Sequence, residues 1–329
     1  MLKPSLDDVT VEITNQCQLH CRRCHIWMEK DRHEIARAVF INTIEKLLAS
    51  FVVRSISLTG GEPFLHSDIT EMLRYLAALR GQGRIRSFGI YTNGATHEKI
   101  ALFLEKEQQL VRGMSIGISV DGLARTHDAL RGAGAYQRTM KTLKLLQDKY
   151  TGFFNVELKF TVGTENYQDL FAVYNQAVRH GFKFTPKLVE RDVAAYYHRC
   201  AKIEKTGSGF DAISFLPGLR QQMALVLQEE ASGVRKAIDP GMIRMMLRIA
   251  REGSKVIRGC QTPDRCLFIT SRGDMYPCLY MAPAGSLYAS ELFSDDFMNK
   301  RNARVKDGSS ACCPRCMAYH GFLKNFNTL

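Results

Sequence analysis

VTVEITNQCQLHCRRC, residues 9–24, is the stretch whose reading decides the fold. The β-branched run from Val9 to Thr14 reads as a strand, and three cysteines, Cys17, Cys21 and Cys24, follow it within eight residues. Three thiolates can hold three corners of a 4Fe-4S cube, which leaves the fourth iron open to a small molecule. An open iron suggests chemistry rather than simple electron carriage. On these residues alone, half of a zinc site completed by His20 or His25 is a competing reading.

Outward from this stretch, short apolar runs alternate with helical patterns as far as about residue 190, which is the sequence form of successive βα units around a parallel sheet. The predicted strands are Val9 to Thr14, Val52 to Leu58, Ser87 to Tyr91, Ser115 to Val120, Val156 to Val162 and Phe182 to Val189. Ile41, Ile44, Leu47 and Leu48 mark one amphipathic helix, and Ile69, Met72, Leu73, Leu76 and Leu79 another. Asn93-Gly94 opens the turn before a third helix. Met140, Leu143, Leu146 and Tyr150 mark a fourth, and Leu170, Val173 and Ala177 a fifth that Gly181 ends with a left-handed cap. Six βα units curl into an open, partial barrel, since a closed one needs eight. The predicted class is therefore α/β, a partial (β/α)6 barrel. Its chemistry belongs where strands end, and Cys17 to Cys24, Gly60 to Pro63, Thr92-Asn93-Gly94 and Asp121-Gly122 all follow strand ends.

At 329 residues with 45% hydrophobic and 24% charged positions, the chain has the composition of a soluble globular protein. No apolar stretch approaches the roughly 18 residues of a membrane span and no secretory h-region opens the chain, so the expected location is cytoplasmic. Ten cysteines without an export signal then argue for metal ligation over disulfides. The net charge of +12 favours anionic partners. It forms no run and no recognised nucleic-acid module, so nucleic acid is not the expected partner.

Residues 191–258 read as a helical connection that includes Leu219 to Leu227 and Met242 to Ala250. Arg244, Arg248 and Arg251 on the second of these read as a solvated helix face. Six cysteines, Cys260, Cys266, Cys278, Cys312, Cys313 and Cys316, crowd residues 259–329, a small C-terminal module. Gly273-Asp274 suits a tight hairpin turn. A four-cysteine zinc site is the competing reading of this module. Cys200 stands alone and reads as a buried apolar side chain.

The Cys-x3-Cys-x2-Cys spacing, together with Gly60-Gly61-Glu62-Pro63 downstream, resembles the radical S-adenosyl-L-methionine (SAM) superfamily. The likeness implies that Cys17, Cys21 and Cys24 hold a 4Fe-4S cluster whose open iron chelates SAM, and that one electron then yields methionine and a 5'-deoxyadenosyl radical. It also implies that the backbone of Gly60, Gly61 and Glu62 meets the SAM amino group. Glycine suits that role, because main chain must approach a ligand closely, with positive φ an option. Pro63 would fix the loop's exit. Ser119 and Asp121 fall where related enzymes contact the ribose, with Asn93 a polar neighbour, although turn chemistry explains all three equally well. Where the superfamily commonly has an aromatic residue before the last cysteine, this chain has Arg23; it, His25 or Trp27 would then face the adenine. The loop from His127 to Gly132 resembles one frequent in the same proteins, and Arg131 within it reads as a structural salt-bridge residue.

The C-terminal pattern, Cys260-x12-Gly273-x4-Cys278 with a distant Cys313-x2-Cys316, is similar to the abbreviated auxiliary-cluster module called twitch, related to the longer SPASM module. By that likeness Cys260, Cys278, Cys313 and Cys316 hold an auxiliary 4Fe-4S cluster. Cys266 and Cys312 become extras, able to substitute as ligands or to donate a hydrogen atom. The resemblance thus implies an enzyme that abstracts hydrogen from a peptide or a small anionic substrate, giving dehydrogenation, epimerisation or radical bond formation. Its electron donor would be a flavodoxin or ferredoxin. The first strand leaves no space for a leader-binding domain, which weighs against a peptide unless a separate protein recognises it. An RNA-modifying or nucleic-acid-binding iron-sulfur protein and a non-catalytic metal scaffold are the alternatives. No catalytic side chain is assigned.

Overall fold

A computed structural model describes residues 3–24, 26–188, 212–232, 237–238, 241–244, 247–248, 262–279, 283–289, 292–293, 297 and 299. Six parallel strands follow one another in space: β1 (Ser5–Thr14), β2 (Val52–Gly60), β3 (Ser87–Thr92), β4 (Ser115–Ser119), β5 (Asn155–Val162) and β6 (Lys183–Leu188). Each predicted strand is present, with ends shifted by a few residues. Helices α1 (Arg37–Ser50), α2 (Ile69–Gly81), α3 (His97–Glu107), α4 (Ala124–Arg131), α5 (Ala135–Tyr150) and α6 (Leu170–His180) connect them. Gly181 caps α6 at φ 71°, as its position predicts.

Alternation along each strand sorts the side chains. On β1, Val9, Val11 and Ile13 are fully buried against the helices with Ile44, Leu47 and Met72. Asp8, Thr10 and Glu12 take the intervening positions and turn to the barrel interior.

Two features depart from the sequence reading. The segment from Ala124 to Arg131 is helical rather than a loop: His127 and Leu130 bury one face of a turn that Gly132 ends at φ 109°. A seventh parallel strand, β7 (Cys266–Ile269), also joins the barrel sheet. It pairs with β1 from Asp8↔Cys266 to Val11↔Ile269. The antiparallel strands β8 (Asp274–Tyr276) and β9 (Gly285–Ser286) extend it, so the sheet order is β6-β5-β4-β3-β2-β1-β7-β8-β9. The β7–β8 turn has Gly273 at φ 91°, the predicted hairpin turn.

Helix α7 (Ala212–Ala231) contains Leu219 to Leu227 and packs on α6; Met242 and Ile243 lie in the same core. Cys200, Cys260, Cys312, Cys313, Cys316, His25 and Arg251 lie outside the described residues. Among the described residues no helix is long and apolar enough to cross a membrane.

Candidate active site

The four strand-end segments meet at one mouth, tied together by buried hydrogen bonds. Gly61 N–H donates to Thr14 O at 2.8 Å and Glu62 N–H to Gln16 O at 2.7 Å, which clamps the Gly60–Pro63 segment to the start of the cysteine loop. A Cβ at Gly61 would sit 2.3 Å from Gln16 O, and one at Gly60 would sit 2.5 Å from Thr14 O. Neither glycine has positive φ. They are needed here because two backbones approach each other, not because of a left-handed turn. Since the Gly61 and Glu62 N–H groups are engaged, this segment can offer a ligand only carbonyl oxygen, the acceptor an ammonium group requires.

Glu62 faces inward from this clamp and is fully buried. Its carboxylate accepts from Thr92 Oγ1 at 2.8 and 2.9 Å, Asn93 N–H at 2.9 Å and Phe64 N–H at 3.2 Å. Burial pushes its pKa up to about 7 against these donors, each of which favours the ionised form. Pro63 opens the helical turn Pro63–Leu65 that Glu62 caps. Asn93 in turn places its Nδ2 3.8 Å from Cys17 Sγ and within 3.4 Å of Gln18 Oε1.

On the opposite side Arg131, at the end of α4, pairs with Asp121 at 2.8 Å. The other Asp121 oxygen accepts Thr161 N–H at 2.8 Å, so this carboxylate, expected near a ribose, is engaged by protein on both oxygens. Cys21 Sγ lies 3.9 Å from Arg131 O, and Arg22 N–H donates to Leu130 O at 2.9 Å. Arg23 donates to Thr161 O at 2.8 Å and pairs with Glu165 at 2.5 Å. Trp27 donates Nε1–H to Cys21 O at 3.2 Å and packs its ring 4.8 Å from that of His20. Ser119 ends β4, and its hydroxyl has no hydrogen bond among the described residues.

The three thiols lie close enough to act on one another electrostatically. Burial pushes Cys17 up to about 12 and Cys24 up to about 11, and raises Cys21 as well. Arg131 opposes the rise at Cys21 and Cys24. Thiolates in so dry a place need cations, and the iron corners of a cube supply them. Among the described residues no three His, Cys, Asp or Glu side chains close on a single ion. Three thiolates with one corner left over are the donor set of a 4Fe-4S cube with one open iron, so the residues fit that group.

Three residues at this mouth, Glu12, Glu29 and His127, carry roles that the sequence pattern did not assign. Glu12 accepts from Ser271 N–H at 3.1 Å and Ser271 Oγ at 2.6 Å, and Glu29 accepts from Asn15 Nδ2 at 2.7 Å and faces Arg272 at 3.5 Å. Together they seat the β7–β8 turn against the cysteine loop. A charged residue amid the apolar run of β1 was the available signal for Glu12. His127 accepts Asp121 N–H at 3.1 Å, beside the Arg131–Asp121 pair that matches the salt-bridge reading of Arg131. In the hairpin the pairing ends at Phe268↔Tyr276, and Cys266 and Cys278 each lie two residues beyond that pair.

The Radical SAM superfamily model matches residues 11–177. A probable GTP 3',8-cyclase of Saccharolobus islandicus is 29% identical over 168 residues, covering 50% of this chain and 51% of that protein. The antilisterial bacteriocin subtilosin biosynthesis protein AlbA of Bacillus subtilis is 32% identical over 146 residues, covering 42% of this chain and 30% of AlbA. The chain spans about half the length of the first of these curated relatives and less of the second. Among solved structures, Streptococcus suis SuiB bound to S-adenosylmethionine superposes with a TM-score of 0.62 at 17% identity, over 93% of this chain and 67% of SuiB. The anSMEcpe enzyme with bound AdoMet gives 0.66 at 19% identity, over 92% and 83%. Those structures share the fold, and the family model spans the strands that build the mouth; the chain belongs to the radical SAM superfamily.

Proposed function

We propose that this chain is a radical SAM enzyme that abstracts hydrogen from a peptide, with Cys17, Cys21 and Cys24 as ligands of its SAM-binding 4Fe-4S cluster. The observation that carries the reading is the hydrogen-bonded chain from Gly61 and Glu62 through Thr92 and Asn93 to Cys17, which joins the segment suited to an ammonium group to the thiol loop. When bound, the cluster supplies the electron that cleaves SAM to methionine and a 5'-deoxyadenosyl radical. Gly60 and Gly61 present carbonyls to the SAM amino group, Asn93 and Ser119 offer polar contacts to its ribose, and Pro63 holds the segment's exit. Arg131 pairs with Asp121 and holds it directed at the β4 and β5 ends. Arg23, fixed to Thr161 and Glu165, closes the rim where an adenine would stack.

The peptide reading is supported by SuiB, solved bound to precursor peptide SuiA, by anSMEcpe, solved with a Cp18Cys peptide, and by AlbA, a bacteriocin biosynthesis protein. A small anionic substrate is the second reading, favoured by the +12 charge and by the relative named as a GTP cyclase. Cys260, Cys278, Cys313 and Cys316 are proposed to hold an auxiliary cluster, with Cys266 able to substitute as a ligand. The division into a core of residues 1–190, a connection of 191–258 and a C-terminal module of 259–329 is part of this proposal, as are a flavodoxin or ferredoxin donor and a cytoplasmic location.

Reduced, iron-loaded protein should release 5'-deoxyadenosine from SAM, and Cys24→Ala protein should not. Deuterium transferred into 5'-deoxyadenosine from a labelled peptide, and not from labelled nucleotides, would support the peptide reading; the reverse would overturn it. About eight iron atoms per chain after full loading would support two clusters, and about four would remove the second.

A further inference from the structure

Arg131 ends α4 directly against the cysteine loop. Cys21 Sγ lies 3.9 Å from its carbonyl oxygen, and Leu130 O, one residue earlier, accepts Arg22 N–H at 2.9 Å. Its Nε and Nη2 donate to one Asp121 oxygen at 2.8 Å, while the other oxygen accepts Thr161 N–H at 2.8 Å. The guanidinium is therefore fixed in place, anchored through Asp121 to the ends of β4 and β5. Both side chains are largely out of water, so their charges act on neighbours with little screening.

The pair is neutral overall, so its effect on the thiols depends on which end faces them. At Cys21 the guanidinium outweighs the Asp121 carboxylate and adds a side-chain hydrogen bond, and it acts on Cys24 as well. The positive end thus points to the cysteine loop. Other charges acting on the triplet are carboxylates, Glu62 at Cys17 and Glu12 at Cys24. An electron added to a cube held by three thiolates makes an already anionic group more negative. Nearby carboxylates oppose that step, whereas a fixed cation and a hydrogen bond to a ligand sulfur favour it.

We infer that Arg131, oriented by Asp121, sets the ease of electron entry at this mouth: it raises the reduction potential of the cluster held by Cys17, Cys21 and Cys24. The inference rests on the ligand set proposed above. One electron leaves the donor and enters the iron core, and no bond or proton changes partner. Asp121 limits the effect, because its carboxylate offsets part of the arginine charge.

The test is a redox titration of the iron-loaded full chain with dithionite, followed by electron paramagnetic resonance and run without SAM so that changes in SAM binding do not enter. A Cys17→Ala/Cys21→Ala/Cys24→Ala chain identifies any signal that belongs to the C-terminal cysteines. Arg131→Gln should shift the reduction equilibrium about tenfold towards the oxidised form, a potential lower by about 59 mV for one electron. Asp121→Asn, which leaves the guanidinium without its counter-charge, should raise the potential, and Arg131→Lys should restore most of the loss seen in Arg131→Gln. Loosened packing or extra water would move Arg131→Gln and Asp121→Asn the same way. An unchanged potential in Arg131→Gln, or shifts of one sign in those two variants, overturns the inference. Potentials are read on the loaded fraction, and if Arg131→Gln takes up no cluster, the sign of the Asp121→Asn shift decides alone. Wild-type protein without the amino-terminal signal overturns the ligand assignment and the inference with it, whereas normal wild-type loading with unmoved variants overturns the inference alone.

Discussion

Arg131 and Asp121 form a buried ion pair that joins the last turn of α4 to the end of β4, with Nε and Nη2 of the arginine each 2.8 Å from the same carboxylate oxygen. The two side chains are only 15% and 7% exposed, so neither charge has water to fall back on. Removing one partner strands the other in a low-dielectric site. Arg131→Ala should therefore lower unfolding stability by about 3–5 kcal/mol. It should also reduce iron uptake per chain, because the guanidinium opposes the charge of the Cys21 and Cys24 thiolates. Denaturant titration and iron analysis check both. Wild-type stability in the variant would show that the pair contributes nothing net.

His127 supplies a pH dependence. Its Nδ1 accepts Asp121 N–H, so the neutral ring carries its proton on Nε2, and protonating Nδ1 would break that bond. Burial, with the Arg131 guanidinium beside it, pushes the pKa down to about 4 from 6.5. Between those values the unfolded chain binds a proton that the folded chain refuses. Stability is thus fully present above about pH 6.5 and lost as pH falls towards 4, by roughly 3 kcal/mol at most. His127→Gln should flatten this part of the stability profile relative to wild type, as read from urea midpoints at each pH.

The six barrel strands were legible because each is a short apolar run bounded by turn residues, and pairing between successive parallel strands needs no more information than their order. The cysteine triplet and Gly60–Pro63 were legible as motifs. Strand β7 was not: Cys266 to Ile269 is too brief to show a period, and its partner β1 is some 250 residues away in sequence. Helix α4 was hidden for a related reason, since His127 and Leu130 give it only one buried turn. Gly60 and Gly61 lack the positive φ that was one option for them, and a constraint the pattern could not show is their crowding by Thr14 to Gln16 of the same chain. Glu12, Glu29 and His127 act through contacts that only the folded topology creates.

Gly61 and Gly81 make a controlled comparison. A Cβ at Gly61 meets backbone atoms of Asn15 and Gln16, which cannot swing aside, whereas one at Gly81 meets nothing within 4 Å. Gly61→Ala should push the SAM segment off the cysteine loop and weaken SAM binding at least tenfold, on the order of the 1.4 kcal/mol that a lost hydrogen bond accounts for. Gly81→Ala, at the end of α2, should leave SAM binding alone and stabilise the helix by up to about 1 kcal/mol. Equilibrium dialysis with labelled SAM and thermal unfolding distinguish the two. Equal SAM affinity in both variants would mean that the close approach does not matter.

Ser271 tests whether the C-terminal hairpin is held from within the barrel. Its hydroxyl and its N–H both donate to Glu12 Oε1, a carboxylate 1% exposed on the inner face of β1. Glu12 also has other interactions, so removing it would disturb more than the hairpin. Ser271→Ala is cleaner, because it deletes the 2.6 Å hydroxyl bond and leaves the backbone bond in place. A buried hydrogen bond to a charged acceptor contributes about 1.5–3 kcal/mol, which corresponds to an increase of tenfold or more in local opening. Amides of β7 and β8 should then exchange at least tenfold faster in the variant, while those of β3 to β5, far across the sheet, keep their wild-type rates. If β7 exchange is unchanged, its pairing with β1 alone holds the hairpin; if all strands exchange faster together, the hairpin is part of one cooperative unit with the barrel.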